Sequence, residues 1–250
     1  MPNYLLDNAW AEQRRRLAGL EAWFDPGTIR HLDALGVAES WSCLEVGAGG
    51  GSIAQWLAAR VGPQGQVVAT DLDTRFLEAL QTPNLEVRRH NILTNALPSE
   101  RFDLVHARFV VEHLADRMAV LRTMAHTLKP GGWIMIEETD SASWVPDPLG
   151  DPTDAALFSK WTTAYAELLH RNGATAYAGR RLHHELRTLG LEDIGAEGRV
   201  FMVQGGSWPA GEVWQLTAAQ VSEAIVGVGL LTAEEMAQVV ALLGDPRITW

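Results

Sequence analysis

Residues 43–54 read CLEVGAGGGSIA. An apolar strand stub runs into three alternating glycines, Gly47, Gly49 and Gly51, and then directly into a helical pattern. Without a Cβ, a glycine backbone takes positive φ angles and comes within contact distance of a ligand. Phosphate loops, dinucleotide sites and adenosyl-sulfonium sites all use such a turn, so the rest of the chain must decide which ligand sits there.

Working outward, residues 41–138 alternate short apolar runs with amphipathic stretches, the signature of parallel strands joined by crossover helices. The pattern places strands at 42–46, 66–70, 85–89, 103–107 and 132–138. Helices fit 52–61, 74–81 and 116–128, with Ser52, Asp73 and Asp116 as caps and Gly62 and Gly131 or Gly132 as stops. The fold class is α/β, a Rossmann-like, doubly wound, mostly parallel sheet with helical lid elements at both chain ends. Such a sheet binds its ligand beyond the carboxyl ends of its strands, so functional residues are expected just after each strand.

The flanks are helical. Up to Gly36 the chain reads as two helices, the first capped by Asp7 or Asn8 and the second started by Asp25 with Pro26 at its first position. After a proline-rich loop, Leu157, Trp161, Tyr165 and Leu168 recur at helical spacing, followed by Leu182, Leu186 and Leu189. LEDIGAEGRVFMVQGG then supplies a long strand or a hairpin around Gly198, and two more helices follow, the last opened by a Thr232/Glu235 capping box. The organisation expected is a helical cap over 1–36, a cofactor-binding core over 37–140, and substrate-covering helices with the completing strand or strands over 141–250, all in one domain.

Composition narrows the function. A chain of 250 residues buries a sizeable core, and 47% hydrophobic with 20% charged residues is ordinary for a globular protein. No apolar run approaches the roughly 18–20 residues that span a bilayer, and the first residues lack a signal peptide's ordering, so a cytoplasmic location and no membrane partner are expected. A net charge of −11, from 20 basic and 31 acidic residues, opposes a nucleic-acid surface. Cys43 is the only cysteine, which excludes a disulfide framework and a cysteine metal site; it is expected to pack inside the first strand.

Asp71 ends the second strand twenty positions beyond Gly51, where a carboxylate can accept both hydroxyls of an adenosine ribose. That spacing suits NAD and adenosylmethionine equally, and three details separate them. The sixth position of the turn is Ser52, where the dinucleotide fingerprint wants Gly or Ala. Glu45 lies just before the first glycine, where a carboxylate favours a cationic ligand over a pyrophosphate. Finally, LKPGGWIMIEE closes the last crossover with a characteristic turn.

On these residues, 41–138 resembles the core of a class I S-adenosylmethionine-dependent methyltransferase, a match over roughly two-fifths of the chain. LEVGAGGG resembles the family's first motif, which implies Glu45, Gly47, Ala48, Gly49 and Ser52 around the methionine end of the cofactor. VVATDLD resembles the second, implying Asp71 on the ribose and Leu72 on the adenine. RRHNILTNALP resembles the third, implying Asn91 at the adenine amino group and Ile92 along the ring; many relatives carry aspartate where this chain has Asn91. FDLVHARFVVEHL resembles the segment after the fourth strand, which implies that the backbone at His106, Ala107 and Arg108 lies along the cofactor's amino-acid part, with an ion pair from Arg108 to Glu112 as the structural alternative to a role for Arg108 at the cofactor's carboxylate.

The family implies methyl transfer by in-line displacement, with S-adenosylhomocysteine as product, and no His or carboxylate spacing suggests a metal. Transfer then rests mainly on positioning, and a base helps only if the acceptor arrives protonated. Glu138, Asp140 and His106 are the base candidates, with His113 the weakest. Of ten tryptophans, Trp10, Trp23, Trp144, Trp161, Trp208 and Trp214 fall outside the sheet core, so at least two are expected to line a pocket for a small aromatic or polycyclic acceptor; helix glue is the alternative. Family members finish the sheet with an antiparallel strand; either residues 199–204 serve, or ITW at 248–250 is only the beginning of that strand, which is preferred. An open sheet edge leaves homodimer pairing as an option. The function expected is a small-molecule methyltransferase of specialised metabolism. The rivals are an enzyme of this fold that uses bound S-adenosylmethionine for a rearrangement or cyclisation, a non-catalytic cofactor-binding module and, last, a nicotinamide oxidoreductase.

Overall fold

The computed structural model describes residues 5–80 and 82–250. The chain forms two compact units. The sheet unit comprises Phe24–Thr139 and Ala178–Ala196, and the helical unit comprises residues 5–23, Asp140–Tyr177 and Glu197–Trp250. Among the described residues no helix is long and apolar enough to cross a membrane.

The sheet unit is built on five strands, β1 (Ser42–Val46), β2 (Gln66–Asp71), β3 (Leu85–Arg89), β4 (Phe102–Arg108) and β5 (Leu128–Glu137). Their order is β3-β2-β1-β4-β5, and every pairing is parallel. The chain starts in the middle, runs outward to β3, then returns to β4, so strand order reverses between β1 and β4. In an open sheet of this kind the crevice for a ligand lies at that reversal. All five residues of β1 are buried, as expected of a strand covered on both faces.

Alternation along the strands sends side chains to two cores. Cys43, Val67, Ala69 and Leu104 pack with Leu32, Ile53, Leu57 and Val61, while Leu44, Val46, Val68, Val105 and Ala107 pack with Val120, Met124 and Leu128. Cys43 is buried and free, and its thiol is pushed up to about 12, first by burial and then by the charges of Asp103 and Glu45. Helix α2 (Ser52–Val61) contributes Ile53, Ala54, Leu57, Ala58 and Val61 from one face and stops at Gly62. Helix α3 (Arg117–His126) starts at Asp116, whose carboxylate accepts the Ala119 N–H.

Four expectations are corrected. Residues 13–34 form one helix, α1 (Gln13–Ala34), with Pro26 inside it rather than opening a second. Residues 74–80 form turns, not a helix, held by Leu77 N–H and Glu78 N–H on the Thr74 carbonyl; Gln81 lies outside the described residues. Leu77 is fully buried as a plug instead. Ser52 is the first residue of α2, and its cap is Gly51 in the left-handed conformation. α3 ends at Thr127, which leaves Gly131 and Gly132 inside β5.

The helical unit carries α4 (Pro152–Arg171), then, after α5 (Ala178–Arg187) of the sheet unit, α6 (Ala210–Gly227) and α7 (Ala233–Leu243). α7 opens with both halves of the Thr232/Glu235 capping box. The tryptophans of this unit largely face each other: Trp144 and Trp214 rings lie 4.1 Å apart, Trp214 also meets Trp23, and Trp144 stacks on Tyr165 beside the buried Trp161. Residues 199–203 form no strand, against expectation, and Val200 and Met202 stay 81% and 78% exposed. Val203 and Trp250 instead exchange two backbone hydrogen bonds around the antiparallel bridge Gln204–Thr249. A two-stranded contact without a third strand does not extend itself in water.

Candidate functional site

The turn after β1 sits at the strand-order reversal. Gly47, Gly49 and Gly51 all hold positive φ, at 69°, 55° and 89°. A Cβ on Gly47 would collide with the Val110 side chain, so any other residue here is penalised on steric as well as conformational grounds. The Gly47 and Ala48 N–H groups donate to the Thr70 carbonyl, which ties the turn to the end of β2.

Asp71 stands at the tip of β2 and completes that tie. Its Oδ2 accepts the Gly49 N–H at 2.9 Å and its Oδ1 accepts the Asp73 N–H at 3.0 Å. Burial raises its pKa above the ordinary value against those donors. Each carboxylate oxygen has further acceptor capacity, so a vicinal diol fits the chemistry of this position. Leu72 and Leu93, just beyond β2 and β3, keep 50% and 49% of their surface exposed. Asn91 Oδ1 accepts the Leu93 N–H at 3.0 Å, which fixes the side chain as a turn cap, and Ile92 packs half-buried against the sheet core.

On the other side of the reversal, Glu45 and His106 are register partners on β1 and β4. His106 is fully buried. Its Nδ1 lies 2.7 Å from Glu45 Oε2 and its Nε2 lies 3.3 Å from Glu137 Oε2. Carboxylates only accept hydrogen bonds, so a ring with one on each side is satisfied as the imidazolium, donating from both nitrogens. Burial alone would depress the pKa, but the charges and hydrogen bonds of Glu45 and Glu137 outweigh it and raise it from 6.5 to about 9. Thr28 Oγ1 donates to the same Glu137 oxygen at 2.6 Å and accepts from Arg108 Nη1 at 2.7 Å. Arg108 Nη2 then pairs with Asp25 at 2.7 Å, in place of the alternative Glu112. Ala107 is buried in β4 between Val46 and Ile136.

Glu138, one residue past β5, accepts backbone N–H groups from Val111 at 2.7 Å, Glu112 at 3.2 Å and Val110 at 3.3 Å. Its carboxylate anchors the single 3-10 turn, Val111–His113, that follows β4. Burial first, then the charge of Glu112, pushes its pKa well above the ordinary value. Glu112 in turn accepts Thr139 Oγ1 at 2.5 Å and lies 3.5 Å from His113 Nε2. Asp140 belongs to the helical unit, where its Oδ2 accepts the Ser143 hydroxyl at 3.0 Å.

Sequence reasoning missed Asp25, Thr28 and Glu137. Asp25 read as a helix cap, and Thr28 carried no signal. Glu137 was within reach of strand alternation, since the register sets it level with Arg108 and two residues beyond Met135, the partner of His106. A shallow cavity of about 380 Å³ lined by Pro63, Gln64, Pro83 and Asn84 lies at the amino ends of β2 and β3, away from this chemistry.

Residues 44–136 match the family model described as "Methyltransferase domain". Methyltransferase str2 from Strobilurus tenacellus is 37% identical over 101 residues, covering 40% of this chain and 36% of that protein. A ubiquinone biosynthesis O-methyltransferase from Albidiferax ferrireducens is 31% identical over 162 residues, covering 60% of this chain and 62% of that one. The matches thus span 36% and 62% of the length of these two curated relatives. Among solved structures, a Bacillus halodurans C-125 protein provisionally named a methyltransferase superimposes with a TM-score of 0.56 at 17% identity, covering 85% of this chain and 81% of that one, a likeness of fold. The sheet order, the glycine turn and these matches define a class I S-adenosylmethionine-dependent methyltransferase domain. Over residues 44–136 the chain is similar to that family, whose cofactor is S-adenosylmethionine.

Proposed function

We propose that this chain transfers a methyl group from S-adenosylmethionine to a small aromatic molecule, as part of small-molecule biosynthesis. The observation that carries the reading is the joined pair of the positive-φ glycine turn and Asp71, both held at the strand-order reversal. In this assignment Asp71 accepts the ribose hydroxyls, Leu72 and Ile92 cover the adenine, and Asn91 meets the adenine edge. Gly47, Ala48, Gly49 and Ser52 line the path of the amino-acid tail, with Glu45 toward its cationic groups and Ala107 and Arg108 alongside. When bound, the cofactor supplies an electrophilic methyl carbon on a positively charged sulfur.

The chain's own part is positioning, which converts an encounter between two molecules into a reaction within one complex. His106 and Glu138 each have their polar atoms engaged by neighbours, which favours structural roles over proton abstraction for both. The relative named a ubiquinone biosynthesis O-methyltransferase supports a hydroxyl acceptor, whose proton must leave as the methyl arrives.

The test is a mass-spectrometric screen of the purified chain with S-adenosylmethionine and a panel of catechols, phenols and hydroquinones. Product heavier by one methyl group, with stoichiometric S-adenosylhomocysteine, is expected. Cofactor binding without any methylated product across such a panel would overturn the proposed acceptor class.

A further inference from the structure

Asp25, Arg108, Thr28, Glu137, His106 and Glu45 form one continuous hydrogen-bonded chain within the sheet unit, running from α1 across β4 and β5 to β1. All of its members are buried or nearly so. With the His106 ring satisfied only when doubly protonated, it holds three carboxylates against two cations. One negative charge is therefore left over between the two terminal carboxylates; Asp25 keeps 20% of its side chain exposed to water, whereas Glu45, 4% exposed, is the buried end and lies one position before Val46 and the glycine turn. A buried excess charge of this kind is costly unless a partner of opposite sign arrives.

We propose that His106 is a positioning residue: its imidazolium clamps Glu45 and Glu137 so that Glu45 presents the uncompensated charge to the ammonium group of the cofactor's amino-acid tail. The inference rests on the cofactor assignment above. It differs from a base role for His106, because the ring neither touches the acceptor nor gives up its proton during a turnover. The groups that face the ring are Glu45 on β1 and Glu137 on β5, and through Glu137 come Thr28 and Asp25 on α1 and Arg108 on β4. Removing the ring's charge leaves two buried carboxylates without their shared cation, which loosens the hold on Glu45.

The experiment compares the wild type with His106→Gln and, as a second variant that leaves the ring in place, Glu137→Gln. Nitrogen-detected NMR of the His106 ring reads the protonation state directly. Two ligands are titrated by calorimetry at pH 7.5: S-adenosylhomocysteine, which carries the ammonium tail, and 5′-methylthioadenosine, which has the same adenosyl thioether without it. Both ring nitrogens should be protonated at that pH, and His106→Gln should weaken S-adenosylhomocysteine roughly 10- to 100-fold while changing methylthioadenosine less than about 2-fold. Glu137→Gln should give a smaller loss, again confined to the tailed ligand. A neutral ring, or equal weakening of both ligands, overturns the inference while leaving the cofactor assignment standing. A wild type that binds neither ligand sinks the cofactor assignment instead, whatever the ring's protonation.

Discussion

Raising the pH should strip stability from this protein through one residue, His106, and the size of the loss follows from its two carboxylate neighbours. The ring's pKa is 6.5 in an unfolded chain and about 9 in the fold, where burial opposes the proton but Glu45 and Glu137 hold it. Below pH 6.5 both states carry the proton and the full contribution is present. Between 6.5 and 9 only the folded state keeps it, so stability falls by about 1.4 kcal/mol per pH unit. The complete loss is about 3 kcal/mol, a large share of a typical folding free energy. For Glu137, burial is outweighed by His106, Thr28 and Arg108, so its pKa lies below the ordinary value and it titrates in acid, outside this window. Urea unfolding by far-UV circular dichroism, run from pH 6 to 10 on wild type and His106→Gln, reads the loss of the ring and its two carboxylate contacts, because the Cys43 thiol and the other shared groups that do not touch the ring cancel in the difference. The wild type should exceed the variant at pH 6 and the two should converge above pH 9. Parallel curves across the whole range would refute the reasoning.

Other perturbations give readable outcomes. Glu138→Gln keeps an oxygen for the Val111 N–H and removes the repulsion from Glu112, so it should leave stability unchanged or higher at pH 8. It should also flatten the fall in stability that a raised carboxyl pKa produces as pH climbs above 4.5; a loss beyond about 2 kcal/mol in denaturant titration would show that the charge itself is needed. Gly47→Ala should cost about 1–2 kcal/mol for its positive φ and more for its collision with Val110, and pairing it with Val110→Ala should recover only the second part. Recovery of the full loss in that double variant, measured by thermal unfolding, would show that φ is not limiting. Leu57→Ala removes a fully buried side chain between α2 and the sheet and should cost about 2–5 kcal/mol in the same assay.

The sheet was readable because its strands are short apolar runs flanked by turn residues, and β1 and β3 lie at the very positions the pattern marks, with β2 and β4 within a residue at each end. The misreadings share a cause, which is that local signals were decided by distant packing. Pro26 reads as a helix start, yet α1 runs through it, and Asp25 serves Arg108 from 83 residues away. Residues 74–80 have caps and apolar spacing, but Leu77 is better placed as a buried plug against Gly51 than on a helix face. Residues 199–203 alternate like a strand but form none, and Val203 exchanges backbone hydrogen bonds with Trp250 instead. For the candidate site, Glu45 and Asp71 were legible because turn and strand end fix them along the chain. The clamp on His106 was not, since Glu45 is 61 residues before it and Glu137 is 31 after, and only the parallel register brings the three together.

The central claim is that the glycine turn and Asp71 form an adenosyl-binding site. Isothermal titration of S-adenosylhomocysteine into the wild type and into Asp71→Ala tests it most directly. The account predicts saturable one-to-one binding to the wild type and a loss of roughly 100-fold in the variant, the worth of two hydrogen bonds to a charged group. Absence of binding to the folded wild type, or equal affinity in both proteins, would contradict it.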